Sequence, residues 1–193
     1  MNARGVSGLS LAALLLGVGL GSFACGGGGG GGGSPAPPPP PTTPVAGITF
    51  TAASAPTQES LTLVRVGVST TTLTLELRAN NVEDLYGLAF DLSYPSALLR
   101  LDSATEGTWL SADGGVATSF LSNDSTAGTL VVGLTRLGSV AGRTGSGTLL
   151  TLQFTAVGTG NGSLTFANND YFDPNGVSVS GITWAGGSVQ VQL

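Results

Sequence analysis

Carboxylates, one thiol and a cluster of Asn and Asp side chains are the groups in this chain whose chemistry could exceed structure. The sequence contains no histidine and one cysteine, Cys25. A Ser-His-Asp or Cys-His nucleophile and a histidine metal centre are therefore excluded. A glycosidase needs only an acid and a base at a set separation. Glu76, Asp91 and Glu106 are the candidates, and no spacing distinguishes them from solvated surface charges. Asn168-Asn169-Asp170 with Asp173 and Asn175 gathers hard oxygen donors of the kind calcium favours. The segment lacks the full EF-hand ligand series and its closing glutamate, and Asx side chains shape turns unaided. The expectation is a chain that is not an enzyme and that holds no metal or cofactor of its own.

Cys25 calls for a different chemistry. It lies between an apolar stretch, Val6 to Leu20, preceded by Arg4, and a glycine run, Gly26 to Gly33. A lone thiol at that junction reads as an attachment site. The apolar stretch is too short for a comfortable membrane span and has the build of a secretory signal. Ser22-Phe23-Ala24-Cys25 resembles the lipobox of bacterial lipoproteins. That resemblance implies a diacylglyceryl group on Cys25 as the first residue of the mature chain. Ser22-Phe23-Ala24 also suits ordinary signal cleavage, which would leave a secreted chain. Gly26, in place of the aspartate that retains lipoproteins at the inner membrane, implies the outer membrane or cell surface of the bacterial envelope.

Beyond Gly33, Ser34 leads into Pro35-Ala36-Pro37-Pro38-Pro39-Pro40-Pro41-Thr42-Thr43-Pro44, a flexible coil followed by a stiff polyproline spacer. Fully extended, this tether reaches at most roughly 60 Å. The division expected is a signal peptide over 1–24, a lipidated tether over 25–44 and one domain over 45–193. With a formal net charge of -5 and no lysine among its six bases, the chain offers no electrostatic footprint for nucleic acid. Having no cysteine, the domain must be held by burial and backbone pairing.

Alternation with a period of two dominates this region. Leu73, Leu75 and Leu77 interleave with Thr74, Glu76 and Arg78, and Leu88, Phe90, Leu92 and Tyr94 with Ala89, Asp91 and Ser93. Other strand candidates are Ile48 to Ala52, Leu61 to Val68, Leu98 to Ser103, Val116 to Ser122, Thr129 to Leu137, Thr148 to Val157, Ser163 to Phe166, Val177 to Ile182 and Ser188 to Leu193. Asp113-Gly114-Gly115, Asn123-Asp124-Ser125, Gly158 to Gly162 and Asp173-Pro174-Asn175-Gly176 read as turns. No stretch has helical periodicity. The pattern predicts an all-β antiparallel sandwich.

Asp84-Leu85-Tyr86-Gly87-Leu88-Ala89-Phe90-Asp91-Leu92-Ser93-Tyr94-Pro95, followed by Leu98-Leu99-Arg100-Leu101, resembles the strand, turn and strand of cohesin domains, the modules that capture dockerins in cellulosomes. Gly147 to Phe154 resembles the cohesin strand after its glycine turn and Phe166 to Asp170 the late cohesin loop, both in order and spacing. The resemblance, over roughly Leu61 to Leu193, implies a jelly-roll sandwich of about nine strands, a fold shared with some carbohydrate-binding modules. It also implies a surface-displayed docking module for a secreted dockerin-like or other protein partner in polysaccharide degradation, with any calcium on the partner. The implied partner face carries Gly87, Ala89, Asp91 and Ser93; Gly87 and Ala89 fall where cellulosomal cohesins often carry an asparagine and an aspartate. The alternative is a carbohydrate-binding module or adhesin that takes polysaccharide directly. Tyr86, Trp109 and Trp184, with Tyr171 and Phe172, are its candidates for stacking on sugar rings; otherwise Trp109 and Trp184 plug the ends of the core.

Overall fold

The structure, a computed structural model, describes residues 46–54 and 59–193. Cys25 and the segments expected as signal peptide and tether lie outside the described residues. Eleven strands are present: β1 (Gly47–Ala52), β2 (Ser60–Val68), β3 (Thr72–Leu85), β4 (Gly87–Ser93), β5 (Leu99–Glu106), β6 (Thr118–Thr126), β7 (Thr129–Arg136), β8 (Arg143–Ala156), β9 (Gly160–Phe172), β10 (Thr183–Ala185) and β11 (Gly187–Gln192). They form a six-stranded sheet, β1-β11-β9-β4-β7-β6, and a five-stranded sheet, β10-β2-β3-β8-β5. This is the expected all-β sandwich, with eleven strands rather than about nine.

The leucine alternation sets the layers. Leu73, Leu75, Leu77 and Ala79 on β3 are fully buried, as are Leu150, Leu152 and Phe154 on β8. Register pairs Leu73 with Phe154, Leu75 with Leu152 and Leu77 with Leu150. From the facing sheet, Leu88, Phe90 and Leu92 of β4 and Leu130, Val132 and Leu134 of β7 close the same core. With one face inward at every second residue, a slip of one position would expose the whole set.

Several details depart from the sequence reading. β3 runs on to Leu85 through register shifts at Ala79/Val82 and Val82/Leu85. Asn81 and Asp84 take positive φ there, a conformation Asx tolerates better than most residues; the Asp84 carboxylate accepts the Gly142 N–H at 2.9 Å. Asn123-Asp124-Ser125 is part of β6, and the reversal falls after it, where Gly128 has φ +86°. Phe166 to Asp170 belongs to β9, where a bulge sets two residues against Phe90 and puts Asn168 at positive φ. Val177 to Ile182 is not a strand. It makes one isolated bridge, Phe172 to Ser178, and the next paired segment is β10, parallel to Ser60–Thr62 of β2. β10 is also the exception to an antiparallel fold.

Among the described residues one cation is buried. Arg136, at the inner end of β7, is 2% exposed. It donates to both Asp113 carboxylate oxygens, at 3.0 and 2.7 Å, and to the Leu110 carbonyl. Together these bonds fasten the segment between β5 and β6, whose one 3-10 turn is Trp109–Ser111. The Trp109 ring lies against Gly147, where a Cβ would come within 2.1 Å of it, and the Arg143 guanidinium sits 5.2 Å from the ring centre.

Phe154→Ala empties the middle of the core and is expected to cost about 3–5 kcal/mol in urea unfolding; a loss under 1 kcal/mol would contradict the inter-sheet position of this ring. The Arg136 guanidinium, by hydrogen bonding, holds the Asp113 carboxyl below the usual carboxylate range. Its contribution is complete above the unfolded pKa of about 3.9 and is lost as pH falls through the lower folded value. Asp113→Asn should therefore lower the urea midpoint at pH 7, and the gap to the wild type should close in acid below about pH 4. A gap that does not change with pH would refute the ionic role of the pair.

Candidate functional site

β4 lies inside the six-stranded sheet, between β9 and β7, so its outward residues sit in rows with those of its neighbours. One row is Phe172, Gly87, Thr135 and Ser119; the next is Asp170, Ala89, Gly133 and Leu121; the third is Ala167, Asp91, Val131 and Asn123. Ser93 lies beyond them, between Thr165 and Thr129. The four expected face residues thus share one outer surface, and β7 and β6 extend it. Leu121 is 72% exposed and Val131 46%, unusual openness for large aliphatic side chains on adjacent strands. Toward β11 and β1 the same surface turns polar, with Ser188 and Gln190 opposite Thr51 and Thr49.

A groove of about 340 Å³ lies on the apolar half, lined among others by Gly87, Gly133, Leu121, Thr135 and Phe172. Its floor is open because β4 and β7 both bring glycine to it. A Cβ on Gly133 would meet nothing within 4 Å, whereas one on Gly87 would lie 3.0 Å from Thr135 Oγ1.

Asp91 is held by the bulge in β9: Asn168 Nδ2 donates to its Oδ2 at 2.6 Å. It is thus a fixed acceptor at the surface. Glu76, by contrast, accepts from Arg78 at 2.7 Å and from Thr148 at 2.9 Å. Glu76 and Glu106 belong to the five-stranded sheet and Asp91 to the other, so the three carboxylates are not gathered into one site.

The Asn and Asp cluster is occupied with its own backbone. Asp173 accepts the N–H groups of Val177 and Asn175 and the Asn175 side chain, and the Val177 N–H first among these holds its carboxyl below the usual range. Asp170 accepts from Ser178 at 2.9 Å. Among the described residues no three His, Cys, Asp or Glu side chains converge as metal ligands.

The aromatic candidates are scattered. Trp184 packs on Phe90 and Phe166, with centroids 5.5 and 5.3 Å away. Trp109 is tied to Gly147 and Arg143 as described, and Tyr86 donates its hydroxyl to the Gly138 carbonyl at 2.6 Å. Tyr171 is buried and donates to the Glu83 carbonyl; burial, with Glu59, Asp84 and Glu83 nearby, pushes its phenol well up. Of these, Tyr86 and Phe172 border the groove.

Leu121, Val131, Gly133 and Thr135 were not singled out by the sequence. They join β4 only through pairing across some 40 residues of chain. One signal was present, the glycine that interrupts Leu130, Val132 and Leu134 on the outward side at Gly133.

Comparison with known proteins gives the same architecture. The cohesin domain family model matches residues 61–191. No curated protein matches the chain. Among solved structures, a Clostridium acetobutylicum cohesin is 18% identical with a TM-score of 0.53, covering 75% of this chain and 90% of its own. A type II cohesin from the Acetivibrio cellulolyticus cellulosome is 18% identical with a TM-score of 0.52, covering 76% and 95%. The sixth cohesin of Acetivibrio cellulolyticus scaffoldin B, solved with a Cel5 dockerin, is 18% identical with a TM-score of 0.53, covering 67% and 97%. At this identity the structures speak for the fold, and the family model, which spans most of the chain, for the lineage. The chain belongs to the cohesin domain family.

Proposed function

We propose that this protein is a non-catalytic docking module that binds a secreted dockerin-like protein through the outer face of β9, β4, β7 and β6. It would be displayed on the bacterial envelope by a lipid on Cys25 and the tether over 25–44, and would serve polysaccharide degradation. The observation that carries this reading is the surface itself. Gly87, Ala89, Gly133, Val131 and Leu121 make a continuous small and apolar patch, suited to exclude water against a second protein. The docked dockerin in the Acetivibrio cellulolyticus scaffoldin structure suggests the class of partner. Calcium in this scheme belongs to the partner.

Direct binding of polysaccharide is the alternative. It asks for a flat row of exposed rings, and Trp184 is turned into the Phe90 and Phe166 cluster instead. Protein docking is therefore the better supported of the two.

The test is calorimetric titration of the full chain with a panel of calcium-loaded dockerins, with calcium and then with a chelator. Saturable binding that chelation abolishes, and that Ala89→Arg weakens tenfold or more, is expected. Retention of polysaccharide with no response to any dockerin would overturn the docking reading. For the anchor, Cys25→Ser is expected to move the chain from the membrane fraction to the soluble one. A variant that stays membrane-bound after signal cleavage would refute the lipid.

A further inference from the structure

Two features of the outer face of the six-stranded sheet together describe the chemistry of what it binds. The first is room. A cavity of roughly 150 Å³ is enough to hold benzene, so the 340 Å³ groove over Gly87 and Gly133 admits a large side chain between Leu121 and Phe172. The second is charge. The charged residues of this sheet are Asp91, Asp124, Asp170 and Arg136. Arg136 is buried and spent on Asp113, which leaves an outer face with carboxylates and no cation. Arg78 and Arg100, on β3 and β5 of the other sheet, are paired with Glu76 and Asp102. Asp170 stands directly beside Ala89, the neighbour of Gly133, and Asp91 lies two residues along β4. The groove is thus bordered on its β9 side by negative charge, which favours encounter with cations and repels anions.

We propose that this face takes a basic protein surface that seats one large apolar side chain in the Gly87/Gly133 groove, with lysine or arginine side chains against Asp91 and Asp170. This rests on the docking reading and specifies the partner's contact residues. The apolar plug gives affinity through burial, and the flanking cations give register.

The test uses two probes with the same plug and opposite charge, 4-phenylbutylguanidinium and 5-phenylpentanoate, titrated into the ¹⁵N-labelled full chain. Saturable shifts at the amides of Gly87, Gly133 and Leu121 are expected, with the guanidinium binding at least fivefold more tightly. Gly133→Leu places its side chain in open space and should keep a dispersed spectrum while losing these shifts. Equal or tighter binding of the carboxylate overturns the charge assignment. Shifts elsewhere, or shifts that survive Gly133→Leu, overturn the groove. Self-association of the wild type that Gly133→Leu abolishes would give the groove to a second copy and overturn the proposal as well. A dockerin that binds Gly133→Leu as tightly as the wild type removes the groove from the interface and leaves the docking reading standing. Guanidinium binding in the groove with no response to any dockerin supports the groove chemistry and removes only the dockerin reading.

Discussion

The contact between the two sheets is the constraint from which the rest of this molecule follows. The domain has no cysteine with which to form a crosslink, so cohesion comes from Leu73, Leu75 and Leu77 on β3 and Leu150, Leu152 and Phe154 on β8, packed beneath β4 and β7. Apolar burial of this kind is non-directional, and strand alternation supplies the direction. Once alternate residues are committed inward, those between them must face out. The surface of β4 is in that sense a product of the core.

What the outward residues do with that position differs between the sheets. On β3, β8 and β5 of the five-stranded sheet they are mainly threonines and paired charges, such as Glu76 with Arg78 and Arg100 with Asp102, with Val66 and Val68 exposed at the end of β2. On the six-stranded sheet, glycine, alanine and large aliphatic residues occupy the equivalent positions beside unneutralised carboxylates. The Arg136 and Asp113 pair links the two roles. By pinning the segment before β6 it steadies the strand that carries Leu121, and it withdraws from the surface the one cation this sheet contains. An arginine buried at this level is costly unless paired, so its retention is coherent with a positioning task.

Much of the fold was legible because alternation is local. Leu88, Phe90 and Leu92 announce a strand and its inward face without reference to any partner. Positive φ at Asn81, Asp84 and Asn168 was harder to read, since each breaks the alternation that identifies a strand, and for that reason β3 and β9 looked shorter than they are. The polar stretch Asn123-Asp124-Ser125 imitated a turn because an edge strand has few inward residues to betray it. Val177 to Ile182 erred in the other direction: its alternation is real, but its pairing with a strand is confined to the bridge at Ser178. As for the site, Gly87, Ala89, Asp91 and Ser93 were visible from one strand. The groove was not, because Gly133 and Leu121 reach it only through pairings that depend on topology.

A small, apolar and anionic sheet face in a cohesin family domain is the proposed seat of a protein partner. Radical footprinting of Leu121, Val131 and Phe172 in the full chain, with and without a saturating calcium-loaded dockerin, tests it most directly. These three side chains should become protected together while Val66 and Val68, exposed on β2, keep their reactivity. Protection of Val66 and Val68 with Leu121 and Val131 still reactive would place the partner on the opposite sheet and contradict it.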